Sequence, residues 1–129
     1  MDDLVKYRLD SAVERLKSAK ILLDNGQFKD SVGRSYYDLF TAVRAVLALE
    51  MVDYTKHAGV ISHFQKEYIK TGRFDTKYSK YLQRAFQIRN SCDYDDFYLI
   101  SRQDAEEQYE HAAEMVLAVQ QFIESIDAP

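Results

Sequence analysis

The scarcity of turn-forming residues constrains the fold of this sequence more than any other feature. Its 129 residues contain four glycines, and the single proline is the last residue, Pro129. A β-sandwich of this length needs a turn roughly every 8–12 residues, commonly built on Gly or Pro. Long helices joined by a few short loops need far fewer such residues. We therefore expect an all-α fold.

The composition is that of a folded chain with one core. Hydrophobic residues make up 47% of the sequence and aromatic residues 13%, which is enough to fill a packed interior and excludes a disordered chain. The length leaves little room for a second core. We expect a single helical domain spanning residues 1–129.

Apolar side chains recur at steps of three and four along most of the chain, which predicts five helices. They are expected at about residues 3–25, 28–50, 57–70, 75–93 and 101–126. Ser101 is expected to cap the last helix, with Asp104 three residues on. Short connections between long helices favour an up-and-down bundle. The second half of helix 2 is apolar nearly all round, so this helix is either central or lines a homodimer interface.

The sequence carries no signal for export or membrane insertion. No basic segment followed by an apolar run opens the chain, and no stretch of about 18 apolar residues occurs, so neither a signal peptide nor a membrane span is expected. Cys92 is the only cysteine, which excludes an internal disulfide and suits a reducing compartment. We expect a cytoplasmic protein.

Charge is distributed unevenly along the chain. The net charge is -4, yet residues 56–89 hold eight Lys and Arg against two acids, and residues 90–129 hold ten acids against Arg102. This pattern fits a basic surface that binds an anion such as RNA or a nucleotide. It fits equally an acidic helix packed beside a basic pair of helices.

Arg89 is the most unusual residue of helix 4. It lies about 20° around the helix from Tyr78, on the predicted apolar stripe, which consists of Tyr78, Leu82, Ala85, Arg89 and Cys92. Burying an unpaired guanidinium costs several kcal/mol. Arg89 therefore needs a carboxylate from a neighbouring helix or a second subunit, a bound phosphate, or an open cleft.

Four segments of the sequence resemble an uncharacterised prokaryotic branch of the HEPN family. They are residues 31–40 in helix 2, 56–61 at the start of helix 3, 89–95 at the end of helix 4, and 100–105 at the start of helix 5. The resemblance implies a helical bundle that pairs as a homodimer. It also implies a link to metal-independent ribonuclease toxins and to a minimal nucleotidyltransferase as protein partner.

The ribonuclease motif of that family is Arg, a polar residue, three further residues and His. Arg89 and Asn90 match its first two positions, but Tyr94 stands where the family has histidine. A tyrosine hydroxyl is a poor general base near neutral pH. The resemblance thus implies Arg89, Asn90 and Tyr94 as catalytic candidates in a degenerate motif.

Four further residues are candidates for ligand binding. His57 and Arg34 belong to matched segments, and Arg34 has the spacing of an ion pair with Asp38. Lys80 and Arg84 share one flank of helix 4 and could guide a phosphate chain towards Arg89. The sequence contains no metal-ligand spacing or phosphate loop, so no metal and no cofactor are expected.

Three functions remain open from the sequence alone. The first is a HEPN-type partner of a nucleotidyltransferase in a toxin–antitoxin or nucleotide-linked regulatory system, with ribonuclease activity weakened or lost. The second is an active endoribonuclease that uses Arg89 to stabilise charge on the phosphate. The third is a non-catalytic dimeric interaction module.

Overall fold

The computed structural model describes residues 2–127, which form an all-α bundle. Its five helices are α1 (Asp3–Asp24), α2 (Phe28–Ala48), α3 (His57–Phe64), α4 (Lys77–Tyr94) and α5 (Arg102–Asp127). A π-helical stretch, Gln65–Ile69, continues α3. Within the described residues there is no strand, and no helix is long and apolar enough to cross a bilayer. The predicted all-α fold of five helices is confirmed.

Local hydrogen bonds explain where several helices begin and end. The Ser101 hydroxyl accepts a hydrogen bond of 3.0 Å from the backbone N–H of Asp104, which is the predicted cap of α5. Asp75 accepts one of 2.9 Å from the N–H of Lys77 at the start of α4. Gly26 follows α1 with φ of +75°, a conformation that glycine adopts without steric cost.

Helix α2 is the centre of the bundle. It packs against each of the other four helices, and thirteen of its 21 residues are buried. Ala45 and Ala48, on the side away from its main apolar stripe, are 0% and 4% exposed. The helix is therefore two-sided because other helices of the same chain cover both sides. The apolar residues on both sides of α2 are therefore no indication of a subunit interface.

The buried side of α4 differs from the prediction by one residue. Its buried residues are Tyr78, Leu82, Ala85 and Ile88. Ile88 joins a small second cluster with Leu23, Val32 and Ala105. Arg89, one residue further on, is turned by about 100° and lies at the edge of the α2–α4 contact, only partly buried. The prediction that Arg89 continues the apolar stripe was wrong, because Ile88 takes that place.

Candidate functional site

The guanidinium of Arg89 is held against two aromatic rings of α2. Its Cζ lies 4.7 Å from the ring centroid of Tyr36 and 4.7 Å from that of Tyr37. Nη2 donates a hydrogen bond of 2.7 Å to the Tyr37 hydroxyl, and Nε lies 3.5 Å from a carboxylate oxygen of Asp93. The ring faces attract the cation, each by about 0.5–2 kcal/mol. Its acidic partner thus lies on its own helix.

A polar cleft opens beside this guanidinium, between α4 and the first half of α2. Its volume is about 470 Å³. Three of its lining residues are basic, namely Lys29, Arg34 and Arg89, and two are acidic, Asp30 and Asp93. The basic residues therefore outnumber the acidic ones here, although the whole chain is acidic. An anion bound in this cleft would contact Arg89, because Arg89 forms part of the cleft wall.

A second opening, of about 230 Å³, lies on the other side of Arg89. It is lined by Phe86, Arg89, Asn90, Asp93 and Tyr94. The Tyr94 side chain, on the last residue of α4, is 82% exposed. The structure thus brings Arg89, Asn90 and Tyr94 to one opening.

His57 contacts the hydroxyl of Tyr36, whereas Arg89 contacts the ring of the same tyrosine. His57 is the first residue of α3, its ring centroid lies 3.9 Å from that of Phe40, and its Nδ1 lies 2.8 Å from the Tyr36 hydroxyl. Partial burial lowers the pKa of His57, and the charges of Arg89 and Arg44 lower it further. His57 and Arg89 therefore interact through space, and both contact Tyr36.

Tyr36 itself is buried between these two groups. Burial raises the pKa of its hydroxyl, while the charge of Arg89 and a hydrogen bond from Arg89 act in the opposite direction. A Tyr36 oxygen facing a cation and an imidazole is held as a neutral hydroxyl that can orient both.

Asp38 does not pair with Arg34. Its side chain is fully buried, and neither carboxylate oxygen has a hydrogen-bond partner among the described residues. Burial raises its pKa to about 8, although the charges of Arg15 and Arg34 oppose the shift. Arg34 is instead exposed and lines the Arg89 cleft. The predicted ion pair between Arg34 and Asp38 was wrong, because Asp38 faces the protein interior.

Lys80 and Arg84 lie on another side of α4. Both are exposed, and they are rotated by about 180° and 140° around the helix from Arg89. Neither residue lines the openings that contain Arg89 or His57. The structure therefore brings Arg34 and Arg89 together but not Lys80 and Arg84.

Comparison with known proteins identifies the family. The HEPN domain family matches residues 5–122. The chain belongs to the HEPN family. A UPF0332 protein of Thermotoga maritima is 30% identical over 125 residues, which cover 97% of this chain and 95% of that relative. "Putative toxin MJ0142" of Methanocaldococcus jannaschii is 35% identical over 105 residues, or 78% of this chain and 71% of the relative. The UPF0332 protein PH1297 of Pyrococcus horikoshii is 44% identical over 78 residues, covering 60% and 55%.

The three catalytic candidates from the sequence, Arg89, Asn90 and Tyr94, all line the second opening. Tyr36 and Tyr37 were not among the predicted site residues, since tyrosines on a helix stripe usually belong to the core. Among residues 2–127, no group of three or more His, Cys, Asp or Glu side chains is arranged to hold a metal ion.

Proposed function

We propose that this HEPN protein acts in a toxin–antitoxin or nucleotide-linked regulatory system and binds RNA phosphates in the Arg89 cleft. The observation that carries the proposal is the setting of Arg89. Its guanidinium lies over two tyrosine rings, and its nearby carboxylate, Asp93, is half-exposed. Tyr37 and Asp93 interact with only some of the N–H groups of this guanidinium, so its other N–H groups remain as donors for a ligand. Phosphate oxygens match a guanidinium in charge and in geometry.

The side chains around the cleft favour a nucleic acid over a simple anion. Lys29 and Arg34 add positive charge along one side of Arg89. Phe86 and Tyr94, on the other side, are 50% and 82% exposed. Exposed rings next to basic groups can stack on unpaired bases while the basic groups contact the backbone. Single-stranded RNA offers both kinds of contact at once.

The ribonuclease motif is degenerate in this proposal. Tyr94 occupies the position of the motif's histidine, and its side chain projects into solvent. An exposed tyrosine hydroxyl is a poor acceptor for the proton of an attacking hydroxyl group near neutral pH. Binding of RNA at Arg89 does not depend on that residue, so the proposal holds whether or not the bound RNA is cut.

Two protein partners belong to the proposal. Two relatives from Methanocaldococcus jannaschii carry the name "putative toxin", which supports a toxin–antitoxin setting. A nucleotidyltransferase is proposed as one partner because the family resemblance implies it. A second copy of the chain is the other partner. Phe97 and Leu99, which follow Tyr94, are 93% and 90% exposed. A protein surface placed over them would remove this apolar area from water.

A binding assay tests the proposed function. Fluorescence anisotropy with a labelled single-stranded RNA in EDTA should give a Kd that rises steeply with salt, because bound phosphates release counterions. Arg89→Ala should weaken binding at least 10-fold, and Arg102→Ala, an exposed arginine outside this cleft, should not. Binding that is absent at low salt, or that is equal in wild type and Arg89→Ala, contradicts the proposal. Tight binding of a mononucleotide but not RNA would replace RNA by a free nucleotide.

A further inference from the structure

The opening shared by Arg89, Asn90 and Tyr94 has a neighbour that contains His57, and the two openings have one lining residue, Phe86, in common. An apolar opening of about 400 Å³ lies between α3 and α4, and both His57 and Phe86 line it. Phe86 also lines the opening shared by Arg89, Asn90 and Tyr94. The half-exposed ring of Phe86 therefore lies between His57 on one side and Arg89 on the other. We call these two neighbouring openings the Arg89 groove; a histidine, an aromatic ring and an arginine line it.

Tyr36 fixes the orientation of the histidine in this groove. Its ring packs under the Arg89 guanidinium, and its hydroxyl lies 2.8 Å from Nδ1 of His57. A tyrosine hydroxyl can either donate its hydrogen to Nδ1 or accept an N–H from it. When Nδ1 carries the hydrogen and donates it to the Tyr36 oxygen, Nε2 of His57 carries a lone pair and can accept a proton.

We propose that His57 is the proton acceptor for RNA cleavage in the Arg89 groove, in place of the histidine that the HEPN motif has at the position of Tyr94. The inference rests on the proposed binding of RNA at Arg89. It adds a chemical step to that binding and assigns the step to a residue on another helix, 32 positions before Arg89 in the chain.

The step is an intramolecular transesterification of the RNA backbone. Nε2 of His57 takes the proton of a ribose 2′-hydroxyl, and the 2′-oxygen forms a bond to the adjacent phosphorus. Arg89 stabilises the negative charge that gathers on the phosphate oxygens. The bond from phosphorus to the 5′-oxygen breaks, and that oxygen takes a proton from water. The hydroxide that remains removes the proton from His57. The products carry a 2′,3′-cyclic phosphate and a 5′-hydroxyl.

The protonation state of His57 suits a base. Burial and the charge of Arg89 lower its pKa below the usual value of 6.5, so the imidazole is neutral at pH 7. A neutral imidazole accepts a proton, whereas an imidazolium cannot. Because this pKa is lowered, cleavage activity should be lost on acidification with a midpoint below pH 6.5.

The other two histidines have different surroundings. His63 is held between the Tyr54 hydroxyl, 3.0 Å from Nδ1, and Glu50, 3.0 Å from Nε2. His111, on α5, is stacked on Tyr81 with ring centroids 3.8 Å apart. Neither residue lines the apolar opening that His57 shares with Phe86. His63 is the better control, because it lies on α3 like His57.

The test compares His57→Gln with His63→Gln by cleavage of an end-labelled RNA in EDTA. His57→Gln should lose at least 100-fold in rate while its Kd for RNA and its melting temperature stay near wild type, since acid–base groups commonly contribute 10²–10⁴-fold. His63→Gln should cleave within about twofold of wild type. Equal cleavage by His57→Gln and wild type overturns the assignment.

Two further results separate this inference from the proposed function. Wild-type protein that binds RNA through Arg89 but never cuts it overturns the role of His57 and leaves the binding function standing. RNA binding that is equal in wild type and Arg89→Ala overturns the proposed binding function itself, whatever the cleavage assay shows.

A pH profile of the wild-type protein needs no variant and so does not depend on how His57→Gln folds. The cleavage rate should rise with pH to a midpoint below 6.5 and then level off. A rate that keeps rising towards about pH 10 is the signature of a tyrosine base and would assign the step to Tyr94. Tyr36→Phe, which removes the positioning hydroxyl but keeps the ring, should shift the midpoint.

Discussion

Arg89 and Tyr37 are 52 positions apart in the sequence, yet Nη2 of Arg89 donates a hydrogen bond of 2.7 Å to the Tyr37 hydroxyl. The contact joins α4 to the central helix at the mouth of the polar cleft. Because α2 packs against all the other helices, Tyr37 is anchored to a rigid part of the protein. The guanidinium is thereby positioned before any ligand arrives, which lowers the entropy lost on binding.

Removing that hydroxyl should weaken RNA binding without disturbing the fold. Tyr37→Phe keeps the ring under Arg89 and removes only the hydrogen bond. A hydrogen bond at a partly exposed site is worth about 1 kcal/mol, so the Kd for RNA should rise about fivefold. Anisotropy titration measures this, with Tyr7→Phe, an exposed tyrosine of α1 outside the cleft, as the control. An unchanged Kd would mean that Tyr37 does not position Arg89.

Position in the cleft should matter more than the amount of charge removed. Arg34→Glu changes the net charge by two, whereas Lys80→Glu with Arg84→Glu changes it by four. Arg34 lines the Arg89 cleft, and the other two residues lie on a different side of α4. Arg34→Glu should therefore weaken RNA binding more than the double substitution at 150 mM salt, where exposed charges are screened beyond about 8 Å. A drop of 10-fold or more in the double variant alone would instead place the RNA path along Lys80 and Arg84.

The sequence predicted the helices well because each of them carries its own signal. Apolar residues at steps of three and four, together with caps such as Ser101, are local patterns that survive in the fold. The position of Arg89 was less predictable. Whether Ile88 or Arg89 faces the core depends on the angle at which α4 packs against α2, and no local pattern records that angle.

The site residues that come from other helices were harder to predict than those of the motif on α4. Arg89, Asn90 and Tyr94 are close in sequence and meet because one helix carries them. Tyr36, Tyr37 and His57 join them only through the packing of α3 and α4 against α2. The ion pair predicted for Asp38 was wrong for a related reason. Its spacing from Arg34 fits an ion pair, but the burial of α2 on that side leaves Arg34 outside and Asp38 inside.

A homodimer is testable in solution. Light scattering at micromolar concentration should give a mass of about twice the 15.1 kDa of one chain. If the exposed apolar residues after α4 form the contact, replacing Phe97 and Leu99 by serine should shift the protein to a monomer. A 15.1 kDa species at every concentration would exclude the dimer. A dimer that persists in the serine variant would place the interface elsewhere.

The buried carboxyl group of Asp38 should make stability depend on pH in an unusual direction. Its pKa is about 8 in the folded protein and 3.8 for an unperturbed aspartate. Between these values the folded state keeps a proton that the unfolded state has released. The free energy of unfolding should therefore fall as pH rises through this window, by about 1.4 kcal/mol per pH unit at most, and level off above pH 8.

Asp38→Asn removes this titration while keeping the size and shape of the side chain. Between pH 5 and pH 7 the unfolding free energy of wild type should fall by about 2 kcal/mol relative to that of the variant, as measured by urea unfolding. Groups common to both proteins cancel in this difference. Asp30→Asn, an exposed aspartate of the same helix, is the matched control and should follow wild type. If wild type and Asp38→Asn respond to pH in parallel, Asp38 is already ionised in the folded protein, and Arg15 and Arg34 must then compensate its burial.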